Sequence, residues 1–176
     1  MSPSVSEQVL AGLRAIPDYP KPGITFRDIT PVLQDARLFR QVIEELARPF
    51  RNVGVTHVLG IEARGFILGA PVAVVLNAGF LPARKPGKLP WQTLREEYAL
   101  EYGTDSLEAH LDACPPGSKI LVVDDVLATG GTARAAGRLA RALGGSLVGW
   151  SLLLELPALG GRSQLEGAPC QAITAI

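Results

Sequence analysis

The residues with the clearest chemical potential stand together at 121–132, where LVVDDVLATGGT carries an apolar strand into two acids and then into a loop of small residues that opens a helix. In an open α/β sheet, ligands bind at the carboxyl ends of the strands. Ala128, Thr129, Gly130, Gly131 and Thr132 offer two hydroxyls and successive backbone N–H groups at a helix N-terminus, where unpaired donors and partial positive charge suit a phosphate. Gly130 and Gly131 let the backbone approach such an anion closely. Asp124 and Asp125 would repel it, but two fixed carboxylates one turn away are natural acceptors for a pair of vicinal hydroxyls. Phosphate at one end and a diol beside it describe a ribose 5-phosphate. A strand ending in Asp-Asp also occurs in nucleotide triphosphatases, yet the Gly-x-x-x-x-Gly-Lys-[Ser/Thr] loop they need is missing, since Gly87-Lys88 runs into Leu89.

Two further sites could carry chemistry. Arg64 and Gly65 follow an apolar strand and could present a cation to an anion, or form an ordinary turn with Glu62 paired to Arg64. Arg84, Lys85 and Lys88 share a Pro- and Gly-punctuated loop whose default reading is a solvated basic segment. His57 and His110 read as structural or exposed residues, because no Ser stands in a nucleophile elbow. Cys114 and Cys170 lack any partner at zinc-ligand spacing, which argues for a reducing compartment and no structural metal.

Alternating strands and helices must hold these residues. Ser4 and Glu7 form a capping-box pattern ahead of Val5, Val9, Leu13 and Ile16 at helical spacing, up to Pro17. An ordered but irregular stretch punctuated by Pro17, Pro20, Pro22, Gly23 and Pro31 follows to residue 34, and Asp35 caps a helix with apolar face Leu38, Phe39, Val42, Ile43 and Leu46, ended by Pro49. Strands are expected at 55–61 and 80–84, with a helix at 66–77 between them and a loop over 85–96. Segments 98–102 and 107–111 could pair, 119–125 is the clearest buried strand, 132–143 is a helix and 147–154 another strand. Such alternation predicts α/β architecture: an open, mainly parallel twisted sheet with helices on both faces. The 176 residues suit a single domain, and the Gly-rich segment 157–176 receives no site.

Composition narrows the class further. At 47% hydrophobic and 19% charged, the chain is that of a globular protein, and 17 basic against 17 acidic residues disfavour a dedicated nucleic-acid binder. The first ten residues lack a signal-peptide pattern, and no apolar run reaches the roughly 18 residues needed to cross a bilayer, so a cytoplasmic protein with no membrane partner is expected.

Four blocks carry a resemblance: PDYPKPGITFRDITPVL at 17–33, GIEARGFILG at 60–69, RKPGKLP at 84–90 with LEYG at 100–103, and VVDDVLATGGT at 122–132. The last marks the type I phosphoribosyltransferases, which use phosphoribosyl pyrophosphate, and the first together with LEYG resembles the adenine-specific members. The resemblance implies their fold, with residues 1–34 as an N-terminal helix and small base-binding hood on a single domain spanning 1–176. It implies transfer of the phosphoribosyl group to adenine, giving AMP and pyrophosphate, with Mg²⁺ held mainly by substrate and water, and a homodimer.

By the same resemblance, the main chain of Thr25 and Arg27 reads the 6-amino group and N1 of adenine, Phe26 stacks on one purine face, and Val126 packs on the other. Glu62, Ala63, Arg64 and Gly65 correspond to the pyrophosphate loop, and Arg84, Lys85 and Lys88 to cations that meet pyrophosphate. Glu101 in LEYG matches the residue near the reaction centre and takes the general acid/base role, beside Tyr102. Because water would hydrolyse the activated sugar, segment 85–96 and LEYG are expected to close as a lid. Asp124 and Asp125 flank the ribose, and Val126, Leu127 and residues 128–132 complete the sugar-phosphate site. The 6-oxopurine enzymes carry an Asp where Ala128 stands here. The alternatives are a transferase for another base and a non-enzymatic regulator that kept the sugar-phosphate site.

Overall fold

Ser4 and Glu7 cap each other at the start of α1 (Val5–Gly12): Ser4 N donates to Glu7 Oε2 at 2.7 Å, and Glu7 N donates to Ser4 Oγ at 3.2 Å. The helix stops at Gly12, earlier than its apolar spacing suggested. Ile16 instead belongs to β1 (Arg14–Ile16), which pairs antiparallel with β2 (Phe26–Asp28), Ile16 opposite Phe26. Asp28 Oδ1 then accepts from Thr30 N at 2.9 Å and opens α2 (Thr30–Gln34). Asp35 caps α3 (Ala36–Ala47) by accepting from Arg37 N and Leu38 N at 2.9 and 3.0 Å, and the chain turns at Pro49 in a 3-10 segment, Arg48–Phe50.

The computed structural model of the protein describes residues 3–99 and 104–176. After α3 the chain forms β3 (His57–Ile61), α4 (Arg64–Val75) and β4 (Gly79–Ala83). An antiparallel ribbon follows, β5 (Thr93–Ala99) with β6 (Thr104–His110). The expected loop is therefore shorter than 85–96, because Thr93 already faces His110 across the ribbon. The last elements are β7 (Lys119–Leu127), α5 (Gly131–Ala142), β8 (Ser146–Glu155) and β9 (Cys170–Ala175), the last within the Gly-rich segment 157–176.

The central sheet has the order β4-β3-β7-β8-β9, parallel throughout. Strand β7 lies in the middle, and its side chains alternate between two cores. Leu121 and Val123 face α1, α2, α3 and α4 with Val32, Val42 and Leu68. Ile120 and Val122 face α5 and the ribbon with Leu107, Leu139 and Trp150. Helices thus cover both faces, with the ribbon sharing the second. Burial on both sides explains why β7 reads as an unbroken apolar run up to Asp124. Among the described residues no helix is long and apolar enough to cross a membrane.

Candidate active site

Where β3 and β7 end, their loops enclose a cavity of about 610 Å³, within the usual range for small-molecule sites. Its wall comes from residues 24–27, 61–64, Lys85, 124–133, and Leu154, Leu156 and Leu159.

At the centre stand the two acids that end β7. Asp125 is buried, and its Oδ2 lies 2.5 Å from Arg64 Nε. Asp124 Oδ1 accepts the Asp125 backbone N–H at 2.9 Å. Burial first, and the Asp125 charge second, push the Asp124 carboxyl well above the usual carboxylate range, with Arg64 pulling the other way. The first turn of α4 presses against this pair: a Cβ on Gly65 would lie 2.9 Å from both Asp124 Oδ1 and the Val123 carbonyl oxygen. Gly65 itself does not line the cavity; it lets Arg64 come this close to β7.

Beyond the acids, residues 128–130 turn into α5 through Gly130 at φ +85°, and no side chain caps the helix. Its first N–H groups are therefore left for a ligand or solvent. The loop rests on the C-terminal segment, backbone against backbone. A Cβ on Gly161 would lie 2.2 Å from the Ala128 carbonyl oxygen, and one on Gly130 would lie 2.5 Å from the Gly161 carbonyl oxygen. Arg162 anchors that segment through both Glu155 oxygens and the Cys170 carbonyl.

The cationic loop is organised by carboxylates. Glu62 Oε1 accepts from Lys88 Nζ at 2.6 Å and Arg84 Nη2 at 3.3 Å, and its Oε2 accepts from Lys85 N at 2.9 Å. Burial alone would raise the Glu62 carboxyl, but these hydrogen bonds overrule it and hold its pKa at about 2. Glu62 is thus paired with Arg84 and Lys88, whereas the local turn reading had it paired with Arg64. Of the three loop cations, Lys85 lines the cavity, while Arg84 and Lys88 stand behind it on Glu62.

At the other end, Phe26 meets the edge of Tyr19 with ring centroids 5.3 Å apart, and the Arg64 guanidinium lies 5.4 Å from the Phe26 centroid. Thr25, Arg27 and Val126 border the same space. The loop before Phe26 is ordered by its own bonds, Gly23 N to Asp18 Oδ1 at 2.8 Å and Tyr19 N to the Ile24 carbonyl at 3.1 Å.

The family model described as Phosphoribosyl transferase domain matches residues 32–164. The chain is 58% identical over 168 residues to an adenine phosphoribosyltransferase of Myxococcus xanthus, covering 93% of this chain and 91% of that one. The chain belongs to the adenine phosphoribosyltransferase family. Its likeness to a Thermobifida fusca adenine phosphoribosyltransferase is 53% over the full length of both chains. The crystal structure of the Rhodothermus marinus adenine phosphoribosyltransferase superposes with a TM-score of 0.93 at 50% identity, covering 98% of each chain. That of the Saccharomyces cerevisiae enzyme, complexed with an imino-altritol bisphosphate and adenine, gives 0.90 at 37% identity over 96% of this chain and 98% of that one.

Within this adenine phosphoribosyltransferase fold, most of the candidate residues converge on one cavity: Thr25, Phe26 and Arg27, Glu62, Ala63 and Arg64, Lys85, and everything from Asp124 to Thr132. Arg84, Lys88 and Gly65 support it from outside. Glu101 and Tyr102 fall outside the described residues. His57 and His110 lie away from the cavity. Ile24, Ile61, Ala133, Leu154, Leu156 and Leu159 are lining residues that the sequence reading missed, and Leu159 brings the C-terminal segment, to which no site was assigned, to the cavity wall. Apolar residues in a Gly-rich tail carry no local signal; the contact of this tail with residues 128–130 arises only when β8 brings it back over them.

Proposed function

We propose that this cavity transfers the 5-phosphoribosyl group of phosphoribosyl pyrophosphate to N9 of adenine, giving AMP and pyrophosphate. The observation that carries the assignment of parts is the convergence on one cavity of Asp124 and Asp125, the uncapped start of α5, and Arg64 with Lys85, Arg64 being paired with Asp125. The start of α5 and Thr129 and Thr132 hold the 5-phosphate, the two acids accept the ribose hydroxyls, and the cations receive the leaving group. As the bond to pyrophosphate breaks, positive charge grows on the ribose and negative charge on the leaving oxygen. Carboxylates beside the sugar and cations beside the leaving group stabilise both changes.

Residues 1–34 act as the hood that binds the base. The Thr25 and Arg27 backbone pairs with the 6-amino group and N1, with Phe26 and Val126 on the two faces of the ring. Glu101 exchanges the proton that adenine loses at N9, with Tyr102 beside it. Asp124 and Asp125 are a pair rather than a closed cage of ligands, which fits Mg²⁺ bound mainly by substrate oxygens and water. Such an ion, when bound, neutralises charge on the leaving group.

A homodimer is supported by α4, whose outward residues Ile67 and Val74 are 45% and 81% exposed on a helix apolar all round. Light scattering reads its mass, and a monomer at working concentration rejects it. A cytoplasmic location is supported by the two free cysteines, Cys114 and Cys170; finding the protein exported overturns it. The reaction is tested by pyrophosphate release from phosphoribosyl pyrophosphate with Mg²⁺, offering adenine, hypoxanthine, guanine, xanthine and orotate in turn. Activity with adenine alone is expected. Turnover of a 6-oxopurine instead overturns the base site, and no turnover with any base overturns the enzyme.

A further inference from the structure

The only loop cation to line the cavity, among the described residues, has a side chain held by neither Glu62 nor the central sheet. Lys85 Nζ donates to Tyr98 Oη at 2.7 Å and to Asp105 Oδ2, and it lies 5.3 Å from the centroid of the Tyr98 ring. Tyr98 and Asp105 are direct partners across the β5–β6 ribbon, and Tyr98 Oη also donates to Asp105 Oδ2 at 3.1 Å. Asp105 Oδ1 accepts from Ser106 N at 2.7 Å, so the carboxylate is fixed from its own strand. Tyr98 is 4% exposed, which fixes the ring as well.

We infer that Asp105 and Tyr98 are positioning residues for Lys85, holding its ammonium at the leaving-group end of the cavity. The inference rests on the proposed binding of pyrophosphate there. An ammonium has three N–H donors. Two go to Asp105 and Tyr98, and the third is left to meet a phosphate oxygen. Burial alone would lower the Lys85 pKa, but the bonds to Asp105 and Tyr98 outweigh it and raise it, keeping the group charged. A lysine on a Pro- and Gly-punctuated loop would otherwise spread over many rotamers, and a phosphate would have to order it on binding.

The test uses the full chain with Asp105→Asn and Tyr98→Phe, both of which preserve side-chain size. Each is expected to raise the KM for phosphoribosyl pyrophosphate and the inhibition constant of inorganic pyrophosphate together, by about ten-fold for Asp105→Asn, the scale of re-ordering one lysine side chain. The KM for adenine stays within two-fold. In a Lys85→Met background Asp105→Asn adds nothing further to either constant, a non-additivity that a merely structural role would not produce. Multiplying effects in that background, or Asp105→Asn lowering Tm with both constants unchanged, overturns the inference. If Lys85→Met itself leaves both constants unchanged, the placement of pyrophosphate falls, and the inference with it.

Discussion

A single methyl group on Gly161 should separate loop geometry from fold stability. In Gly161→Ala the new Cβ would stand 2.2 Å from the Ala128 carbonyl oxygen, short of ordinary contact at 3.4 Å by about 1.2 Å. Gly161 does not sit in the left-handed region, so the strain is steric and falls on the loop it touches. The C-terminal side cannot easily give way, because Arg162 ties it to Glu155 and to the Cys170 carbonyl. The displacement therefore passes to residues 128–130. A misplacement of about 1 Å costs roughly 10²-fold in rate, or about 2.7 kcal/mol of transition-state stabilisation. Steady-state kinetics should show kcat/KM for phosphoribosyl pyrophosphate falling by about that factor, with the KM for adenine little changed. Gly160→Ala is the control: Gly160 has φ +67°, and a Cβ added there would meet nothing within 4 Å, so the substitution should lower Tm through backbone strain without moving the loop. A folded Gly161→Ala protein with kcat/KM for phosphoribosyl pyrophosphate within two-fold of wild type would refute the reasoning.

Asp124 carries a raised pKa, so its ionised form costs the folded state stability that is fully present below the unfolded value near 3.8 and is lost as pH rises through the folded pKa. Asp124→Asn is expected to raise the Tm of the ligand-free protein by a few degrees at pH 7 while abolishing most activity, and the Tm difference should vanish below about pH 4; a lower Tm at pH 7 in scanning fluorimetry contradicts the sign. Phe26→Ala is expected to raise the KM for adenine about ten-fold, from loss of one base–aromatic stack, leaving that for phosphoribosyl pyrophosphate in place; an unchanged adenine KM puts the base elsewhere. Glu101→Gln should cut kcat by about 10²-fold or more with little change in substrate binding, and wild-type turnover in the variant removes its proton-transfer role.

The parts of the fold legible in the sequence are those whose signal is local. The Ser4–Glu7 box, the Asp35 cap and the doubly buried strand β7 each depend on residues within a few positions of one another. Ile16 misled because the same residue satisfies both the helical spacing from Val9 and Leu13 and a short strand opposite Phe26. Strand β5 was hidden by its own polarity: Arg95 and Glu96 read as loop, yet they pair with Glu108 and Leu107. At the site, type and spacing marked Asp124, Asp125 and the small-residue loop. The partners of the cations were not legible, since Glu62 with Lys88 and Asp105 with Lys85 are contacts made only by folding.

The tight seat of Gly65 on the end of β7 has a consequence for selectivity. On the proposed assignment of parts, it fixes Arg64 against the end of β7, so the cation assigned to the leaving group and the helix start assigned to the 5-phosphate stand as the fixed jaws of a gauge. A sugar bearing phosphate at both ends engages the second jaw intramolecularly, at high effective concentration, once the first is filled. Ribose 5-phosphate and free pyrophosphate each fill one jaw alone, and sugars of another span fill one badly. On that assignment the activated sugar is selected by length before any atom of the ring is read.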